Sequence, residues 1–165
     1  MFAVSNTTPL RYLIAIEQEH LLGQLFDKVF VPEAVHEELT EAKTPENVRR
    51  RILSLPVWYE IRTIQESEAA AFPVTLHRGE REAILLAESL RPDVILIDEQ
   101  IGRMIALNRN LPVSGTLGIL ERADTRGLIN GFPAVLTGLK TSGFFISESL
   151  EQQLLHRHRA RRKTE

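Results

Sequence analysis

Asn6, Glu38, Glu80 and Asp98 are the positions where a polar group interrupts an apolar pattern in a way that could do chemistry. In the stretch Val31-Pro32-Glu33-Ala34-Val35-His36-Glu37-Glu38-Leu39, the inward stripe of a helix is Ala34, Val35 and Leu39. Glu38 lies three and four residues beyond Val35 and Ala34 and shares their face, whereas Glu37 turns to solvent. Glu80, in Gly79-Glu80-Arg81-Glu82-Ala83-Ile84, shares a face with Ala83, Ile84 and Ala87, and helix geometry turns Glu82 about 200° away. A first-turn glutamate also complements a helix dipole, which by itself explains many such residues. Asp98 ends the apolar run Val94-Ile95-Leu96-Ile97, and Asn6 holds the equivalent place after Phe2-Ala3-Val4-Ser5. A carboxylate on a buried stripe is costly unless it is paired or metal-bound.

Oxygen donors without a cysteine, and without a histidine pair at helical spacing, favour Mg²⁺ or Mn²⁺ over zinc. His20, His36 and His77 are scattered, and His156-x-His158 sits in a basic tail expected to be solvated. Clustered carboxylates repel one another, and a divalent ion holds them together. Such an ion polarises a phosphodiester and lowers the pKa of a bound water. The reaction class is phosphodiester hydrolysis by an activated water. A receiver-type phosphoacceptor at Asp98 would need an acidic pair after the first strand, which Ser5-Asn6 does not supply.

The elements that must carry these residues alternate. A strand at Phe2–Ser5 is followed by Thr8-Pro9, a cap and first-turn proline that start a helix running to about Glu17. Lys28–Val31 is a second strand, with helices over Glu33–Glu41 and from Thr44-Pro45 through Val48, Ile52 and Leu55. Val57–Ile61 reads as an edge strand after Pro56, and Gly79–Leu90 as a helix. Val94–Ile97 is a β-branched run of the kind found in a central parallel strand covered on both faces. A helix over Gln100–Asn108, a short strand at Leu111–Val113, a helix from Thr116 and a helical C-terminal third follow. Strand–helix alternation predicts an α/β fold with a parallel sheet and right-handed crossovers. In such sheets ligands gather outside the carboxyl ends of the strands, where Asn6 and Asp98 fall.

The 165 residues fit one domain, and no apolar run reaches the length of a bilayer span. Met1-Phe2-Ala3-Val4 enters a strand without a basic leader, so the expectation is a cytoplasmic protein with no membrane partner. The net charge of −2 conceals an asymmetry: the segment from His156 carries +4, and the body before it −6. An acidic body needs bound metal or the basic tail to meet phosphates. The tail itself reads as a frayed, solvated end.

Taken in order, these motifs resemble a known family. Val4-Ser5-Asn6-Thr7-Thr8-Pro9-Leu10, the Val31–Leu39 helix, Gly79–Ile84, Ile97-Asp98-Glu99 with Arg103, and Gly115-Thr116-Leu117-Gly118 are similar to PIN domains, and most to a bacterial and archaeal subfamily related to VapC toxins. The resemblance implies a PIN-like three-layer α/β/α sandwich over residues 1–150, with 151–165 a basic C-terminal helix or tail. It further implies a ribonuclease whose three or four acids surround Mg²⁺ or Mn²⁺, held in check by a small antitoxin protein, and a possible homodimer. Carried onto this chain, the catalytic and metal positions are Asn6, Glu38, Glu80 (with Glu82 the alternative) and Asp98. Glu99 assists Asp98, and Thr7 and Thr116 correspond to hydroxyl residues lining such sites, or else cap helices. Arg103 forms a structural ion pair or approaches a phosphate. Asn6 departs from the family's usual aspartate: it still offers a carbonyl oxygen but removes one charge and cannot accept a proton from water. Glu80, where aspartate is more usual, moves its carboxylate outward by one methylene.

Overall fold

The computed structural model describes residues 1–65 and 72–163. Five strands, β1 (Phe2–Ser5), β2 (Lys28–Pro32), β3 (Tyr59–Arg62), β4 (Val94–Leu96) and β5 (Val113–Ser114), form one sheet in the order β3-β2-β1-β4-β5. Every pairing is parallel, with Ala3 opposite both Val29 and Val94. The chain builds outward from β1 to β3, then returns to lay β4 on the other side of β1. The order therefore reverses between β1 and β4, and the loops leaving those two strands diverge to open a crevice.

The pleat sorts side chains strictly between two cores. Ala3, Val29, Val31 and Leu96 point into one, which is filled by Leu10 and Leu13 of α1 (Thr7–Ala15), Leu21 and Leu22 of α2 (His20–Leu25), Val35 and Leu39 of α3 (Glu33–Thr40), Val48 and Ile52 of α4 (Glu46–Leu53), Ile119 of α7 (Thr116–Thr125) and Leu136 of α8 (Phe132–Thr141). Val4 and Ile95, their neighbours in sequence, point into the other with Ala83, Ile84 and Ala87 of α5 (Arg78–Leu90) and Ala106 of α6 (Gln100–Asn108). Adjacent strand residues face opposite sides, so a sheet covered on both faces needs unbroken apolar runs. The three-layer α/β/α sandwich expected from the sequence is the fold. No helix among the described residues is long and apolar enough to cross a membrane.

Several local expectations shift. Asn6, not Thr8, precedes the first turn of α1, and Thr8 is already helical, with Pro9 beside it. α1 stops at Ala15, two residues short of Glu17, which has a positive φ of 56°. Leu55 is excluded from α4 by its φ of 45°, β3 starts at Tyr59 rather than Val57, and α2 was not anticipated at all.

The basic C-terminal segment is not frayed. It forms α9 (Glu148–Arg162), which buries Leu154 and docks on α7 through charge. Asp124, with a side chain 1% exposed, accepts from His158 Nδ1 at 2.9 Å and from the Arg161 guanidinium. Arg157 reaches Glu121 through Nε at 2.5 Å. His158 also stacks on Phe132, with ring centroids 5.2 Å apart. His158 is therefore a structural contact rather than a solvated residue, and part of the tail's positive charge is neutralised in place; residues 164–165 lie outside the described part.

Candidate active site at the carboxyl edge of the sheet

Asn6 directly follows β1, and its backbone N–H donates to Leu96 O of β4 at 2.9 Å, so the residue is locked at the point where the strand order reverses. Its side chain is buried at 3% exposure, and Nδ2 donates to Glu99 Oε2 at 3.1 Å. The next two residues repeat the pattern. Thr7 Oγ1 donates to Glu38 Oε2 at 2.7 Å, and Thr8 Oγ1 donates to Glu99 Oε1. Three consecutive residues at the start of α1 thus hold two carboxylates from distant parts of the chain. The N-terminal end of a helix favours negative charge there.

Glu80 completes the group from α5. It is 6% exposed, and Oε2 accepts from the His77 N–H at 3.1 Å, closing the first turn of its own helix. Burial raises its pKa above the ordinary carboxylate range; Glu99 and Glu38 push it further up, and the His77 hydrogen bond opposes them. Glu80 therefore senses the charge of the other two acids. Two glycines allow the approach. A Cβ on Gly79 would meet Glu38 Oε1 at 2.7 Å, and one on Gly102 would meet Ile97 Cδ1 at 2.5 Å and Glu80 Oε1 at 3.1 Å. Any larger residue at either position would displace a wall of the site.

Asn6, Glu38, Glu80 and Glu99 line a single cleft of about 910 Å³, with Arg11, Lys43 and Arg78 at its rim. Thr7 and Thr8 stand inside it. Asp98 is turned elsewhere. Its Oδ1 accepts from the Thr116 N–H at 2.8 Å and its Oδ2 from Thr116 Oγ1 at 2.6 Å, which caps α7. Burial raises the Asp98 pKa and Glu99 adds to it, while the two Thr116 hydrogen bonds and Arg103 pull it back. Arg103 donates to Ile97 O at 2.9 Å. Asp98, Thr116 and Arg103 form a brace between β4, α6 and α7 rather than part of the cleft lining. Glu82 is also outside it, accepting from the Ala34 N–H at 3.2 Å and from Arg78 Nε at 2.8 Å, so it ties α5 to the start of α3. Of the residues read from sequence, the fold brings together Asn6, Thr7, Glu38, Glu80 and Glu99. Thr8 and Arg11 were missed, although Arg11 follows Thr8 by three residues and Thr7 by four, the spacing that sets side chains near one another on a helix.

A family model described as PIN domain (DUF3368) matches residues 2–160. The chain belongs to the PIN domain family. Among solved structures, a PilT N-terminus domain protein from the hyperthermophilic archaeon Sulfolobus solfataricus superposes with a TM-score of 0.50 at 14% identity, over 90% of this chain and 98% of that one. That likeness concerns the fold. No curated protein matches the chain. PIN domains are generally nucleases that use divalent metals, and the donor set of this PIN domain is of the right kind, carboxylate and amide oxygens only. Thr7 bonds Glu38 and Thr8 bonds Glu99, and among the described residues no three acidic or imidazole side chains are grouped so as to hold one ion together. Mutual repulsion in a partly desolvated cleft is the condition that a cation relieves.

Proposed function

We propose that this PIN domain is a metal-dependent endoribonuclease, the toxin component of a toxin–antitoxin pair. The observation that carries the reading is the convergence of Asn6, Glu38, Glu80 and Glu99 on one cleft at the strand-order reversal. Glu38, Glu80 and Glu99, which as placed do not share one ion, would draw in with the Asn6 carbonyl oxygen to hold Mg²⁺ or Mn²⁺ as hard oxygen donors. The bound ion would supply Lewis acidity toward a phosphodiester and an activated water. Thr7 and Thr8 keep Glu38 and Glu99 turned into the cleft, and the Asn6 amide fixes the second oxygen of Glu99. Asp98 and Thr116, assigned from the family resemblance to ligation and lining, act in this proposal by fixing the loop that carries Glu99. An antitoxin segment presenting an arginine or lysine to these acids would silence the site by occupying it.

A second reading has one observation in its favour. Asn6 donates a hydrogen bond to Glu99 where an aspartate would repel it, so the site has one charge fewer and less need of a metal. On that reading the domain binds RNA or a protein without cutting. Incubating the protein with single-stranded and structured RNAs in Mg²⁺, Mn²⁺ or EDTA, beside Glu80→Gln and Asn6→Asp, separates the two. Metal-dependent cleavage lost in Glu80→Gln supports the nuclease. Cleavage gained only in Asn6→Asp supports the binding module.

A further inference from the structure

The floor of the cleft is acidic, and a phosphate strand entering it needs a cation that is not already spoken for. Three cations stand at the rim, and two of them are answered. Lys43 pairs with Glu41 at 3.0 Å, and Arg78 pairs with Glu37 at 3.0 Å and Glu82 at 2.8 Å. Arg11 is exposed, lines the cleft, and has no ion-pair or hydrogen-bond partner for its side chain among the described residues. It sits on α1 four residues after Thr7 and three after Thr8, hence on the face whose first turn holds Glu38 and Glu99. We propose that Arg11 is the substrate-positioning residue of the cleft, its guanidinium gripping a phosphate of a single RNA strand next to the one presented to the acids.

The inference rests on the nuclease reading and extends it to how the strand is held. A guanidinium meets phosphate with two parallel hydrogen bonds, which fix direction as well as distance. One turn of helix separates Arg11 from the threonines, about 5 Å along the axis, within the reach of its long side chain. Because the acids repel phosphate, Arg11 is the contact through which counterion release enters binding.

The test is the salt dependence of binding, which does not require turnover. A fluorescein-labelled single-stranded RNA is titrated by anisotropy with Ca²⁺ replacing Mg²⁺, across about 50–200 mM salt. The slope of log K against log salt is expected to fall by about 0.7 in Arg11→Gln, the value for one lost phosphate contact on a single strand, and to be kept in Arg11→Lys. Lys43→Gln and Arg159→Gln carry the same change in net charge, one at an already paired rim lysine and one on α9, and are expected to leave the slope near the parent's. Unchanged slope in Arg11→Gln with normal binding by the parent overturns the assignment and leaves the nuclease reading standing. An equal fall in all three glutamine variants also overturns it, since general charge then explains binding. No RNA binding by the parent at any salt overturns the assignment together with the reading beneath it.

Discussion

Replacing Asp98 with alanine should unlock a joint of the fold, whereas replacing its neighbour Glu99 with glutamine should leave the fold intact and remove function. Thr116 is fully buried, and both its N–H and its hydroxyl are satisfied by Asp98, at 2.8 and 2.6 Å. Asp98→Ala leaves two buried donors without a partner, each costing about 1–3 kcal/mol. It also removes a carboxylate from the start of α7, worth up to about 1 kcal/mol more. The expected loss is about 2–7 kcal/mol, which in a domain of this size lowers the melting temperature by about 4–28 °C. Glu99 is partly exposed, glutamine can still accept from Thr8, and a turned Asn6 amide can accept from the new NH2, so Glu99→Gln is expected to cost about 1 kcal/mol or less. Thermal and urea unfolding followed by circular dichroism read both variants, with metal-dependent RNA cleavage measured on the same samples. An Asp98→Ala protein melting within about 2 °C of the parent would refute the capping argument. So would a Glu99→Gln variant that unfolds early.

Three other outcomes follow from the same geometry. Glu80 is a desolvated acid raised above its ordinary range by burial and by Glu99 and Glu38, so its ionised form works against folding. Glu80→Gln is therefore expected to melt no lower than the parent in EDTA while abolishing cleavage; a clear fall in melting temperature would contradict this. Asp124→Ala strips the buried partner from His158 and Arg161 and is expected to cost about 3–5 kcal/mol, with tryptic cleavage in α9 accelerated. An unchanged digestion pattern would mean that α9 is held by its apolar contacts instead. Saturating Mn²⁺ at about ten times its dissociation constant should stabilise the parent by about 1.4 kcal/mol, seen as a rise of about 3–6 °C, and should not stabilise Glu80→Gln.

The sheet and its two cores were legible because a parallel strand covered on both faces leaves a plain trace: Val94–Ile97 could hardly be anything else. The acids at Glu38 and Glu80 were legible because each shares a helical face with core residues. The choice between Asp98 and Glu99 was not, and the reason is the pleat. β4 ends at Leu96, one residue before the apolar run does, and in extended chain successive side chains point in opposite directions. Asp98 and Glu99 lie beyond that end, where the alternation no longer fixes which acid faces the cleft and which braces α7. The docking of the C-terminal helix, expected to be a frayed and solvated end, escaped for a different reason: charge at Asp124 and Glu121 holds much of it, with Leu154 the buried apolar anchor, and a hydrophobic pattern cannot register that. Glu82 shows the pattern working, since its opposite face to Glu80 follows directly from helix geometry.

Mn²⁺ binding, measured by electron paramagnetic resonance on the parent, Glu99→Gln and Asp98→Asn, tests most directly which carboxylates make the site. The account predicts saturable binding to the parent and to Asp98→Asn, and weakened or lost binding in Glu99→Gln. Binding that survives Glu99→Gln but is lost in a folded Asp98→Asn would contradict it.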